Sequence, residues 1–190
     1  MKQENGFSMT ELLVAMVISG IVMTAIYSAY YSQQRSYETT EAVSDIQQNL
    51  RAAMFIMERD IRMAGFDPTG KATIAGFHGV TSDSSSTLKI SWDGADGSVP
   101  NKVITDPSEY IEYKMEGNAL KRKAGASGFL MIANNISGVS FTFLNSSGTT
   151  TSNPAFIRSV DILLKASRAS RSKVHERDLN TRIYCRNMPL

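Results

Sequence analysis

Hydrophobic residues form one long, nearly uninterrupted stretch near the N-terminus, and their spacing changes further along the chain. From Leu12 to Gln34 no residue carries a charge, and the apolar part ends in Tyr27, Tyr30 and Tyr31. About 20 apolar residues in a helix cross a bilayer, and aromatic side chains are favoured at its interfaces. The stretch therefore predicts a membrane-spanning helix, not a helix that lines a core.

The pattern predicts that this helix continues in amphipathic form, giving one element from about Phe7 to Ala64. The segment contains no proline and a single internal glycine, and Gly65 suits the helix C-cap. Glu58 and Arg62 stand one turn apart, with the acid first, which favours a surface ion pair. Apolar residues at three- and four-residue steps indicate one buried stripe: Ile46, Leu50, Ala53, Met54, Met57, Ile61 and Ala64.

Beyond the helix the pattern is typical of β-structure. The tripeptide Glu116-Gly117-Asn118 separates two alternating runs and predicts a hairpin. Tracts rich in Ser, Thr, Gly and Asn at 81–87 and 145–153 predict loops. The expected fold class is α+β, with the long N-terminal helix packed on a mainly antiparallel β-sheet. Strands are predicted at 88–92, 110–115, 119–122, 139–144, 160–165 and 181–185.

Charge and cysteine content add little to this picture. The net charge of +2 is too small to imply a nucleic-acid partner by itself. Cys185 is the only cysteine, so no disulfide can form within the chain. It is predicted to be a half-buried strand residue, with an intersubunit bridge as the alternative. Basic residues are concentrated late in the chain: Arg158, Lys165, Arg168, Arg171, Lys173, Arg177, Arg182 and Arg186.

The sequence contains no recognisable catalytic or cofactor motif. His78 and His175 are far apart, and neither lies at a metal-ligand spacing. No Gly-x-Ser-x-Gly motif or phosphate-binding loop is present. Asp93 and Asp96 lie beside glycines, which predicts a turn, with Ca²⁺ binding as the alternative. We therefore expect a protein that is not an enzyme and has no cofactor or metal site.

The residues ahead of the apolar stretch are unusual for an ordinary anchor. Glu11 stands after a short polar leader and immediately ahead of the apolar stretch, and a charge in hydrocarbon costs about 2.5–3.5 kcal/mol even on a lenient scale. This acid therefore needs a partner, or else it lies at the lipid headgroups. A cleaved secretory signal would have an apolar run of about 7–15 residues and a small-residue cleavage site. The run here is longer, and no such site closes it.

The sequence Gly6-Phe7-Ser8-Met9-Thr10-Glu11 resembles the N-terminal motif of the type IV filament prepilin family, which includes type IV pilins and type II secretion pseudopilins. The resemblance implies that prepilin peptidase cleaves after Gly6 and that the new amine of Phe7 is N-methylated. It also implies that Glu11 pairs with that amine on a neighbouring subunit during assembly. The implied organisation is a leader at 1–6, a transmembrane and filament-core half of the helix at 7–34, an amphipathic half at 35–67 and a periplasmic β-rich domain at 68–190.

A narrower resemblance points to PilW-type minor pilins. It rests on residues 47–53, residues 57–68 and the hairpin that carries Tyr113 and Leu120. It implies a structural minor pilin that enters a type IV pilus and primes or supports filament assembly. A minor pseudopilin of a type II secretion system, of the J type, is the first alternative, and a DNA- or surface-binding minor pilin is the second.

The resemblance also implies partners and a location. The partners are other major and minor pilins, the prepilin peptidase and methyltransferase, an inner-membrane assembly platform and membrane lipid before assembly. Nucleic acid stays an open alternative. The precursor is expected in the inner membrane as a single-pass protein with its globular domain in the periplasm. The processed chain is expected in the pilus at the cell surface.

Overall fold

A computed structural model describes residues 6–66, 86–93, 109–170 and 173–188. The long helix, α1, runs from Met9–Met63 and contains 55 residues, which confirms the predicted element to within two residues at each end. The chain forms two compact units, Met1–Glu41 and Ala42–Leu190, and α1 contributes to both. One continuous helix therefore belongs to two different structural environments.

In the first unit, the described residues of α1 expose their apolar side chains. Leu13, Val17 and Ile21 are each more than half exposed, and an 18-residue window of the helix has a mean hydropathy of 2.2 with none of it buried. By length and composition this helix can cross a membrane. Its small polar side chains bond locally, since the Thr24 hydroxyl donates to the Gly20 carbonyl oxygen at 2.8 Å.

The second unit confirms the predicted α+β class, with two antiparallel sheets where one sheet was expected. A four-stranded sheet has the order β1-β2-β3-β4, and a three-stranded sheet has the order β5-β6-β7. Asn135 separates the two sheets with a φ of 59°, and the Ile136 N–H donates to the Asn118 carbonyl at 3.0 Å. This left-handed residue turns the chain out of the first sheet. The strands are β1 (Leu88–Ser91), β2 (Tyr110–Glu116), β3 (Ala119–Ala124), β4 (Leu130–Asn134), β5 (Ile136–Leu144), β6 (Ser159–Ser170) and β7 (Lys173–Tyr184).

Most of the predicted strands are confirmed, with three differences. The β2–β3 hairpin turns at Gly117 and Asn118, as predicted, and Gly117 has a φ of 61°. Strand β4 was not predicted, because its short apolar run does not alternate. Strands β6 and β7 are 12 residues each, much longer than predicted. Cys185 is buried and lies one residue after β7, not within a strand.

The second half of α1 packs into a core shared with both sheets. The predicted apolar stripe is buried in full, and Ala42 extends it towards the N-terminus. Strand residues that face the same core include Ile90 of β1, Tyr113 of β2 and Ile162 of β6. Burying one such side chain contributes about 1.5–3 kcal/mol, so this stripe is the main attachment of the helix to the domain.

The end of α1 is fixed by backbone hydrogen bonds. Gly65 has a φ of 75°, which confirms the predicted C-cap, and its N–H donates to the Ser91 carbonyl at 2.9 Å. The Asn187 side-chain amide donates to the Arg62 carbonyl at 3.1 Å, so the C-terminal segment also holds this helix end. Glu58 and Arg62 form the predicted ion pair.

Candidate processing and assembly segment

The predicted cleavage site lies in exposed, non-helical chain immediately before α1. Gly6, Phe7 and Ser8 have no regular secondary structure, and α1 begins at Met9. The Phe7 side chain is 87% exposed. A peptidase that binds the backbone in an extended form needs such a segment, because a residue inside a helix has its backbone groups already bonded.

Glu11 lies in the first turn of α1 and helps to cap it. The Ser8 N–H donates to the Glu11 carboxylate at 3.4 Å, and the Leu12 N–H donates to the Ser8 carbonyl at 3.2 Å. Ser8 and Glu11 thus have the spacing of a capping box, in which the acid satisfies a backbone donor ahead of the helix. The negative charge also interacts favourably with the positive end of the helix dipole. The carboxylate itself remains exposed, so it is accessible to a further cationic partner.

Gly6 is not required by the fold of this chain. A Cβ atom added at Gly6 would meet nothing within 4 Å, and its φ lies outside the left-handed region. A side chain would therefore be tolerated here in the folded chain. If glycine matters at this position, the reason lies in a molecule that binds the segment.

Behind Glu11 the helix presents apolar side chains on all sides. Leu12, Met16 and Met23 are 57–69% exposed. Soluble monomers rarely expose so much contiguous apolar surface, which marks a membrane or protein interface. Glu11 is the only charged residue from Gly6 to Gln34. The site therefore combines one exposed carboxylate with an exposed apolar surface, whose contact with water is unfavourable.

A buried polar cluster, formed by Asp60, Tyr113 and Arg122, attaches α1 to the four-stranded sheet. Asp60 is 1% exposed, and one of its carboxylate oxygens accepts from the Tyr113 hydroxyl and from Arg122 Nε, both at 2.6 Å. Tyr113 on β2 and Arg122 on β3 are paired in register. Burial, then the Asp60 charge, raises the pKa of Tyr113. Burial opposes the charge of Arg122, but the hydrogen bond and charge of Asp60 outweigh it and raise the pKa of Arg122.

One local feature indicates this cluster, an acid inside an otherwise apolar stripe. Asp60 directly precedes Ile61 of the stripe. Its partners Tyr113 and Arg122 lie 53 and 62 residues away, so their identity could not be read from local spacing. A buried carboxylate that lacked them would carry a large desolvation cost. The cluster is best understood as structural, because every described member holds the helix to the sheet.

The described candidates for metal binding or thiol chemistry do not form a site. His78 and Asp96 lie outside the described residues, and the part of the chain that the structure describes contains no group of three metal-ligating side chains. His175 lies on β7. Burial raises the pKa of the Cys185 thiol to about 12, which disfavours the thiolate needed for disulfide exchange.

Several of the late basic residues already form ion pairs or hydrogen bonds within the chain. Arg182 forms a two-pronged pair with Asp161 at 2.6 and 2.8 Å, and Arg168 pairs with Asp45 of α1. Arg158 donates to two backbone carbonyls. Such pairs leave less free charge for a phosphate backbone. Nucleic-acid binding stays an untested alternative.

Two protein-family models match this chain. Residues 1–27 match the prokaryotic N-terminal methylation motif. Residues 39–185 match the family described as prepilin peptidase-dependent protein B. That second match covers more than half of the chain, which therefore belongs to the prepilin peptidase-dependent protein B family. None of the curated proteins searched is significantly similar to it.

These matches confirm the predicted pilin-like class. The chain is a type IV pilin-like protein with an α+β fold, a prepilin motif and a helix long and apolar enough to span a membrane. Domains of this class are structural. The motif and the exposed helix are consistent with an inner-membrane anchor and with a pilus. The narrower resemblance to PilW-type minor pilins stays a prediction.

Proposed function

We propose that this chain is a minor pilin, made as an inner-membrane precursor and incorporated into a type IV pilus, where it primes or supports filament assembly. The observation that carries the proposal is the arrangement at the N-terminus. A Gly6–Phe7 link without regular secondary structure precedes a helix whose first turn exposes one acid and whose following turns, up to Gln34, expose only uncharged side chains. That arrangement suits processing at one end and burial against other helices afterwards.

In the proposed first step, prepilin peptidase cleaves between Gly6 and Phe7, and the methyltransferase methylates the new amine of Phe7. Residues 1–6 are then the leader, and 7–34 hold the chain in the bilayer. The globular residues 68–190 face the periplasm. Residues 35–67 join the anchor to that domain.

In the proposed second step, Glu11 pairs with the Phe7 amine of a neighbouring major or minor pilin as the assembly platform extracts the chain from lipid. Within the apolar filament interior, an unpaired carboxylate is strongly unfavourable, since removing one partner of a buried pair typically costs about 3–5 kcal/mol. Subunits whose Glu11 finds an amine are therefore retained. Until then, the Glu11 carboxylate caps the first turn of α1 by accepting a hydrogen bond from the Ser8 N–H.

The test is the substitution Glu11→Ala, with Glu176→Ala on the exposed surface of β7 as the matched control. Glu11→Ala is expected to be cleaved normally and to be depleted from sheared filaments, because the leader is intact and the pair is lost. Glu176→Ala is expected to behave as the wild type. Normal incorporation of Glu11→Ala would refute the pairing step.

A pseudopilin of a type II secretion system would use the same mechanics in a different machine. Deletion of the gene separates the two. Loss of surface pili with normal secretion of exoproteins supports the pilus, and the opposite result supports the secretion system.

A further inference from the structure

The outward surface of α1 in the second unit carries an aromatic side chain among arginines. Phe55 is 69% exposed, with Arg51 one turn before it and Arg59 one turn after it. Arg62 lies on the same side two turns beyond Phe55, because residues at three- and four-residue steps share a helix face. We call Arg51, Phe55, Arg59 and Arg62 the arginine face. It lies opposite the buried stripe, so the fold of this chain does not need it.

Two of these arginines have a partner within the chain, and one does not. Arg62 pairs with Glu58, and Arg59 lies 3.4 Å from the Asp60 carboxylate. Among the described residues, Arg51 is exposed and forms no ion pair or side-chain hydrogen bond. An exposed guanidinium beside an exposed phenyl ring is an arrangement typical of interface hot spots.

The choice of arginine distinguishes this face from the basic outer side of the four-stranded sheet. The whole of α1 contains four arginines and no lysine. Among the described residues, the basic side chains on the outer side of the four-stranded sheet are all lysines, and two of them, Lys114 and Lys121, pair with Glu116 at 3.0 and 2.8 Å. Lysine is depleted at protein interfaces and typical of solvated surfaces, whereas arginine binds carboxylates with two parallel hydrogen bonds. The lysines of that outer surface are Lys89, Lys114, Lys121 and Lys123.

We infer that the arginine face binds a helix of a neighbouring pilin-class subunit that carries carboxylates beside an apolar side chain. This chain shows what such a helix contains, because the exposed Glu41 precedes Arg51 in the same helix. Parallel helices offset along their length bring an acid at this position of one subunit beside the arginines of the next. A head-to-tail contact of this type does not close on itself, so it extends into a filament.

This inference rests on the proposed function, and it adds a second contact to the one at Glu11. Phe55 supplies apolar area, while Arg51 supplies the charge that selects the partner and its offset. An anionic lipid surface is the competing occupant of a basic helix face. A single exposed phenyl ring gives little area for insertion into lipid, which favours the protein partner.

The test uses the full chain in cells that produce filaments, with two pairs of variants. Arg51→Glu is matched by Lys173→Glu on exposed β7, since both change the net charge by the same amount. Phe55→Ala is matched by Phe156→Ala, whose ring is 58% exposed elsewhere on the domain. The amount of mature chain in sheared filaments is expected to fall about tenfold for Arg51→Glu and Phe55→Ala, as for loss of one interface hot spot, and to be unchanged for both controls.

A photoreactive phenylalanine analogue at Phe55 then identifies the occupant. The expected adduct joins this position to the helix of another pilin-class subunit near an acidic residue. An adduct with lipid alone, no adduct, or normal incorporation of Arg51→Glu would overturn the inference. If the wild-type chain is itself absent from filaments, the proposed function fails, and the cross-link in the membrane fraction alone decides this inference by the same criteria.

Discussion

The two halves of α1 have the same secondary structure and opposite environments. In the first half, Ile21 is 65% exposed, and the surrounding apolar side chains cover the helix on all sides. In the second half, Ile61 is fully buried, and the opposite side of the helix carries arginines. Both halves are nonetheless α-helical over their whole described length. The contrast shows that the pattern of side chains around the helix, not the backbone, decides what each half binds.

The two halves of α1 are also stabilised by different contacts. The second half is stabilised within the chain by its core, by the Asp60 cluster and by the cap at Gly65. The first half finds no such partner among the described residues, so its apolar surface needs lipid or other subunits. Substitutions in the two halves should therefore have effects on different properties, and Trp92 can report on the second unit because it is the only tryptophan and packs against the core.

The largest effect on folding is expected from the same substitution made in both halves. Ile61→Ala should lower the free energy of unfolding of the second unit by about 2–5 kcal/mol, because it leaves a cavity in the core. Ile21→Ala should leave that free energy unchanged, because its side chain is exposed. Urea unfolding of the full chain in detergent, followed by Trp92 fluorescence, measures both. Equal effects would contradict the division of the helix.

Removal of the Asp60 carboxylate should have the next largest effect. Asp60→Ala strands the Tyr113 hydroxyl and Arg122, and it should destabilise the second unit by about 3 kcal/mol, at the lower end for a broken buried pair since Arg122 is one-fifth exposed. Asp161→Ala removes the exposed pair with Arg182 and should cost less than about 1 kcal/mol. The same Trp92 transition distinguishes them, and similar losses for both variants would mean that the cluster is not an anchor.

These two predictions differ in how much of their basis is visible in the sequence. The burial of Ile61 follows from helical periodicity, which is local. The pairing of Asp60 with Arg122 spans 62 residues and depends on the register of the β2–β3 hairpin. The motif from Gly6 to Glu11 could also be read directly, because its residues are adjacent in the chain. The division into two sheets could not, since it depends on the conformation of Asn135.

A smaller effect is expected where α1 ends. Gly65→Ala places a Cβ at a φ of 75°, which should destabilise the second unit by about 1–2 kcal/mol. Gly20→Ala is the matched change in the other half, and a Cβ there would meet nothing within 4 Å. It should leave the Trp92 transition in place. A transition shifted equally by both variants would be inconsistent with a cap at Gly65.

The smallest effect is expected from alkaline pH, and only in the second unit. Burial raises the pKa of Cys185 to about 12, so the folded chain keeps a proton that the unfolded thiol releases near its ordinary pKa of about 8.5. Stability is therefore complete below that pKa and falls as pH rises towards 12. From pH 7 to 9 the loss should be about 0.8 kcal/mol, and Cys185→Ala should remove it. A Cys185→Ala variant with the same pH dependence as the wild type would exclude the thiol as its cause.

The most direct test of the proposed processing and incorporation is the mass of the N-terminal peptide of this chain recovered from sheared filaments. We expect a peptide that begins at Phe7, carries one added methyl group on its amine, and comes from a chain that is present in the filament. A filament-associated chain that retains residues 1–6, or a processed chain that is found only in the membrane, would contradict it.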